Sequence, residues 1–252
     1  MEYDKLLNLG AELGRHLLIS GAEIYRTEES VTRLLTAYGV EPQVFAIANC
    51  LIVSVTTPEG QPLTRMCRIP AHGTNIELLE RCNDLCRRLC ADPIPVDEAR
   101  RLVDGLPKGT KNFGPRMILL GHVLAGAFFA LFFGGTFRDF LCAAVTGLAV
   151  GLCALYGQRF IGSNPFFRTV ISAMVASLIP LLMVEAGWGD NADLITIGVL
   201  MLLVPGMALT NAMREIMAGD IISGVNRTAE VILVGAAIAI GAAIPMMLAR
   251  AL

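Results

Sequence analysis

The spacing of apolar positions changes character part-way along the chain. Up to about Leu106 apolar residues recur in short amphipathic patterns; beyond Arg116 they come in long runs that charge rarely interrupts. From Tyr3 to Ser20, Leu6, Gly10 or Ala11, Leu13, Leu17 and Leu18 share one side of a predicted helix, which Gly21 ends. Ala22 to Tyr38 reads as a second helix, stopped at Gly39. Gln43 to Thr57, rich in Val, Ile and Phe, reads as a strand, and Pro58-Glu59-Gly60 as a turn. Beyond it Leu63, Arg65, Cys67 and Ile69 alternate with Thr64, Met66 and Arg68, the pattern of a hairpin with one wet face. Asn75 to Cys90 reads as a third helix, broken by Asp92-Pro93-Ile94-Pro95, and Val96 to Leu106 as a short fourth. These elements predict a soluble α/β (α+β) head over residues 1–110.

A helix needs about 20 apolar residues to cross the hydrocarbon of a bilayer. Five stretches approach or reach that length, at about 117–137, 140–158, 169–187, 194–213 and 231–249. In a water-soluble core five such runs in succession would have no amphipathic partner to cover them. The expected fold is therefore an α-helical polytopic membrane protein of about five transmembrane helices (residues 117–252) behind an N-terminal soluble domain. Gly147 and Gly151 form a GxxxG step and Ala237 and Gly241 repeat the small-xxx-small spacing, as close helix packing requires, within the chain or with another copy.

Composition sharpens this division. Charged residues make up 17% of the chain, against roughly 25% in ordinary soluble domains, and the deficit falls in the apolar half. The formal net charge of −2 lacks the basic footprint of a nucleic-acid binder. With the head in the cytoplasm, Lys108, Lys111, Arg116, Arg159, Arg168, Arg214 and Arg227 flank the spans on the inside; Arg138 and Arg250 alone flank them outside. The loop Trp188 to Asp193 is acidic, as an outer loop is. The expected location is the inner (plasma) membrane, with a cytoplasmic N-terminus lacking any apolar leader and, after an odd number of spans, Leu252 outside. An odd cysteine count, with Cys50, Cys67, Cys82, Cys86 and Cys90 in the head, and Cys142 and Cys153 in apolar helices, suits a reducing compartment better than a disulfide framework. Cys82, Cys86 and Cys90 merge with Leu78, Leu79, Leu85 and Leu89 into one apolar stripe, so packing rather than a metal is expected; no cofactor is implied.

No G-x-S-x-G, P-loop or H-E-x-x-H signature occurs, and His16 and His72 are isolated. The run Glu23, Arg26, Glu28, Glu29, Arg33 has the spacing of a solvated helix face, or alternatively of a ligand or hydrolytic site in the head. Polar chemistry concentrates around the fourth apolar stretch. Pro205 removes a backbone hydrogen bond and Gly206 eases bending; in transporters such breaks free backbone groups to hold polar solutes. Thr210, Asn211, Arg214, Asp220, Arg227 and Glu230 follow. One reading is a kink followed by an ordinary loop. The other is a substrate pathway in which Arg214 or Arg227 holds a carboxylate bidentately, Thr210 and Asn211 add neutral hydrogen bonds, and Asp220 or Glu230 pairs with an arginine or carries a proton. His122, inside the first stretch, is a further candidate, or a histidine bonded to a neighbouring helix.

Leu203-Val204-Pro205-Gly206, Asn211-Ala212, and the Gly219, Ser223-Gly224, Arg227 series resemble the threonine/serine exporter family, as do Gly21-Ala22-Glu23, Glu28 and Tyr38-Gly39 in the head. The resemblance implies a cytoplasmic head with about five spans, fused in full-length members to a second multi-span half. A chain stopping at Leu252 is then expected to be the larger subunit of a split exporter, with a shorter all-membrane partner, a homo-oligomeric contact, or both. The resemblance links fused members to threonine and serine and split ones to succinate, a C4-dicarboxylate. The expected function is a secondary exporter subunit moving a small carboxylate-bearing metabolite outward through the bilayer, with no enzymatic residues assigned. The alternative is a membrane-anchored enzyme or sensor whose head is the active part.

Overall fold

The computed structural model describes residues 3–70, 73–110, 113–162 and 164–251; His72, Lys111 and Leu252, named above, lie outside them. The chain forms two compact units: Met1–Lys111 with Leu209–Thr228, and Asn112–Ala208 with Ala229–Leu252.

In the first unit, α1 (Tyr3–Ser20) and α2 (Ile24–Ala37) pack on an antiparallel sheet of β1 (Pro42–Ile47), β2 (Cys50–Thr56) and β3 (Pro62–Arg68), in the order β1-β2-β3. α3 (Ile76–Ala91) and α4 (Val96–Gly105) pack on α1 in turn. The expected single strand over 43–57 is two strands, reversed at Ala48-Asn49. That turn contains neither Gly nor Pro, so no breaker marks it. Leu51, Val53 and Val55 point into the core, whereas Phe45 and Met66, both paired with Ile52, remain exposed. α1 is buried on more than the one side expected of it. Leu6, Leu7, Ala11 and Leu18 join the cluster under the sheet, and Leu9, Leu13 and Leu17 join a second cluster with α3 and α4. Asp4, Lys5, Asn8, Glu12 and Arg15 of α1 are confined to the remaining face. Cys82 and Cys86 are buried in that second cluster.

The second unit contains α5 (Pro115–Phe132), α6 (Phe137–Ile161), α7 (Pro165–Glu185), α8 (Ala192–Leu200) and most of α10 (Ile221–Ala251). Among the described residues four helices are long and apolar enough to cross a membrane: Pro115–Phe132, Phe137–Arg159, Pro165–Glu185 and Ile221–Ala249. This is a polytopic helical membrane protein. The stretch expected as one span over 194–213 is instead two helices, α8 and α9 (Gly206–Met217). Between them the chain tightens, with Leu203 N–H donating to Leu200 O (2.9 Å) and Gly206 N–H to Val204 O across Pro205 (2.9 Å). At about 1.5 Å per residue, α8 is less than half as long as the roughly 30 Å hydrocarbon layer.

Small residues set the helix spacing here. A Cβ on Gly147 would stand 2.6 Å from His122 O, one on Gly198 2.6 Å from Ala130 N, and one on Gly241 2.2 Å from Val170 O. Asp139, fully buried at the start of α6, accepts from the Thr136 amide (2.9 Å) in a capping box, and from the Asp190 (2.8 Å) and Asn191 (2.9 Å) amides ahead of α8. One carboxylate thus ties two helix starts together.

Gly147→Leu is expected to destabilise the protein by about 1–3 kcal/mol, since a backbone carbonyl cannot yield to the new side chain. Gly235→Leu, at a glycine with open space around its Cβ position, should leave the melting temperature of the detergent-solubilised protein unchanged.

Candidate functional site

The residues following Pro205 build a helical hairpin that belongs to the first unit from Leu209 to Thr228. The turn that follows α9 contains Gly219 (φ 92°), whose N–H donates to Ile216 O (3.1 Å) while the Asp220 N–H donates to Glu215 O (3.0 Å). This closure needs a left-handed residue, which glycine supplies without strain. Asp220 then accepts from the Ser223 amide (3.3 Å), capping α10. A Cβ on Gly224 would stand 2.4 Å from Ile216 Cγ1 and 3.1 Å from Ala212 O, so glycine lets the first turn of α10 lie against α9.

This packing buries an ion pair. Glu215 is fully buried, Arg227 is 8% exposed, and Arg227 Nη1 lies 3.2 Å from Glu215 Oε1. Among the described residues neither Glu215 oxygen completes a well-aligned hydrogen bond, and neither does the buried Ser223 hydroxyl. The Ile24 amide, in the first turn of α2, faces the Glu215 carboxylate, so the positive end of that helix helps to hold the charge. Burial nevertheless pushes the Glu215 carboxyl above its ordinary pKa; Arg227 and the Ile24 amide oppose the shift, and Asp220 and Glu23 add to it.

Two further contacts join the hairpin to the turn between α1 and α2. Arg214 Nη1 donates to Glu23 Oε1 (3.1 Å), and Asn211 Nδ2 donates to Gly21 O (3.4 Å). Glu23 Oε2 also lies 3.7 Å from Arg26 Nε. Nearby, Glu28 accepts from the Ala46 amide (2.7 Å) and fixes β1 on α2; burial and the neighbouring Asp220 raise its pKa, against the pull of that amide.

The structure therefore brings Asn211, Arg214, Asp220 and Arg227 together within the first unit, and adds Glu215 and Glu23. Thr210 lies on the same hairpin with an exposed side chain. Pro205, Gly206, His122 and Glu230 belong to the second unit. His122 Nδ1 lies 2.8 Å from Ile118 O, and its side chain packs against the Gly151 backbone of α6. Glu230 is exposed on α10. The importance of Glu215 is not visible in sequence spacing, because its partner lies across the turn at Gly219 and its environment comes from α2.

A break between two short helices, as at Pro205-Gly206, also occurs in the discontinuous helices of transporters. The chain belongs to the threonine/serine exporter family, whose ThrE model matches residues 8–249. It is 24% identical over 242 residues to a "Probable threonine/serine exporter" of Mycobacterium tuberculosis, covering 94% of this chain and 45% of that protein. It is 23% identical over 255 residues to the "Threonine/serine exporter" of Corynebacterium glutamicum, covering 98% and 52% respectively. The chain thus spans about half the length of these two relatives. A "Probable succinate transporter subunit YjjP" of Klebsiella aerogenes is 27% identical over 243 residues, covering 92% of this chain and 89% of that one. No solved structure matches the chain.

Two measurements test the buried pair. Glu215→Leu or Arg227→Met alone should lower stability by about 3–5 kcal/mol, by leaving one charge buried and unpaired, while the double variant should lose far less. The second is pH dependence. A carboxyl whose pKa is higher folded than unfolded contributes stability that is complete below the ordinary carboxylate pKa and is lost as pH rises through the raised folded value. The melting temperature of the native chain should therefore fall with rising pH relative to Glu215→Gln across that window.

Proposed function

We propose that this chain is one subunit of a secondary exporter, in the inner (plasma) membrane, that moves a small carboxylate-bearing metabolite outward. The observation that carries the reading is the pairing of Arg214 with Glu23 and of Arg227 with Glu215 immediately after the broken helix. Each guanidinium already holds a carboxylate, the group a substrate would present. Threonine and serine, named for two relatives, and succinate, named for a third, share that group. In this reading the protein's own carboxylates hold the arginines ready and exchange with substrate during transport. Arg214, with its side chain 58% exposed, is the more accessible of the two. Thr210 and Asn211 supply neutral hydrogen bonds, Asp220 and Glu230 pair with the arginines or carry a proton, and His122 lies along the pathway.

α8 and the Pro205-Gly206 break form a fifth, discontinuous crossing in this scheme, and the freed backbone groups line the route. The excess of Lys108, Arg116, Arg159, Arg168, Arg214 and Arg227 over basic residues on the opposite flanks supports a cytoplasmic N-terminus and an outer C-terminus. A shorter all-membrane subunit supplies the second half of the exporter; the relative named a subunit, which matches this chain over nearly its own full length, supports this.

Arg214→Gln should reduce efflux of succinate or threonine from loaded cells at least tenfold while membrane abundance stays constant. Arg227→Lys, which keeps the charge but not the bidentate fork, should reduce it less. Wild-type efflux from both variants would remove the substrate-pathway assignment. Efflux that is the same with and without a co-expressed second subunit would remove the split arrangement.

A further inference from the structure

Away from the hairpin, α2 and α3 pack side by side and leave between them a cavity of about 570 Å³. That is within the roughly 300–1,000 Å³ range of small-molecule sites. Its walls carry Arg26 and Arg33 from α2 and Arg87 from α3, against one acid, Glu29. Tyr25, Ser30 and Asn83 add an aromatic ring and neutral hydrogen-bonding groups. An ordinary solvated helix face is convex and mixes its signs; this surface is concave and carries an excess of positive charge.

The three arginines are not equally committed. Arg33 is paired with Glu29 (2.6 Å). Arg26 donates to the Tyr25 hydroxyl (3.3 Å) and lies 3.7 Å from Glu23. Arg87 is exposed and has no ion-pair partner among the described residues. Arg26 and Arg33 lie seven positions apart on α2, hence on one face and about 10 Å apart along the axis. Arg87 extends the basic surface from the facing helix.

We propose that the cavity between α2 and α3 binds a soluble, elongated organic dianion, with one oxyanion end at Arg33 and Arg87 and the other at Arg26. Ser30 and Asn83 hydrogen-bond its middle, and Tyr25 covers it. Carboxylate and phosphate ends both satisfy this chemistry. An occupant drawing on Arg26 competes with Glu23, the residue that also holds Arg214.

The test is calorimetric titration of the purified full chain, reconstituted in phosphatidylcholine nanodiscs at constant ionic strength, with succinate and with inorganic pyrophosphate as probes. At least one probe should bind saturably. Arg87→Gln and Arg26→Gln should each weaken that binding about tenfold or more, Arg87→Lys should restore part of it, and Arg101→Gln, an exposed arginine on α4, should not change it. Adding phosphatidylglycerol to the nanodiscs should leave the affinity unchanged. Three results would overturn the proposal: no saturable binding of either probe, wild-type affinity in both cavity variants, or competition by phosphatidylglycerol, which would make the occupant a lipid headgroup. None of these readouts depends on export, so the cavity and the transport reading stand or fall separately.

Discussion

A peptide group surrounded by lipid has no water to bond, so its N–H and C=O must find partners within the protein. That requirement dictates the second unit. Its long helices satisfy their backbones internally, and their starts are capped by Thr136 with Asp139 and by Asn164 and Asn191. Attraction between helices cannot come from excluding water in this solvent, so it rests on close contact. Glycine at 147, 198 and 241 makes such contact possible by bringing one backbone against another. The break at Pro205 stands out because it is the place where the chain gives up helical pairing within an otherwise apolar stretch.

The Glu215–Arg227 pair obeys the same physics within the first unit. Removing two charges from water is costly, and their attraction offsets this only when geometry and further hydrogen bonds are good. Here, among the described residues, neither carboxylate oxygen has a well-aligned donor, so the pair stabilises less than it could. Both members lie on the hairpin, so the pair holds α10 against α9, and the Ile24 amide facing Glu215 ties that placement to α2. Arg214 with Glu23 and Asn211 with the Gly21 carbonyl reinforce that placement at the other end of the same turn.

The sequence made much of this legible. The helices of the head and three long apolar helices follow directly from periodicity and length, since each is bounded by Gly, Pro or a capping residue. The turn at Ala48-Asn49 escaped because it carries no breaker. The second buried side of α1 escaped because Leu9 becomes interior only when α3 and α4 arrive from later in the chain. Arg214 and Arg227 could be singled out as charges beside a broken helix. The partner of Arg214 could not, because Glu23 lies 191 residues from it along the chain. Asp139 was invisible for a similar reason: as an acid at a helix start it reads as a cap, and only folding adds the Asp190 and Asn191 amides.

The first unit is discontinuous, for Asn112–Ala208 intervenes between its two parts. A ribosome therefore releases α1 through α4 long before it makes the hairpin that completes their fold. During that interval α5, α6, α7 and α8 are made, while Glu23 and the Gly21 carbonyl lack their eventual partners on the hairpin. Completion of the head thus waits on synthesis of the second unit's first four helices, although its own first four helices are made at the outset.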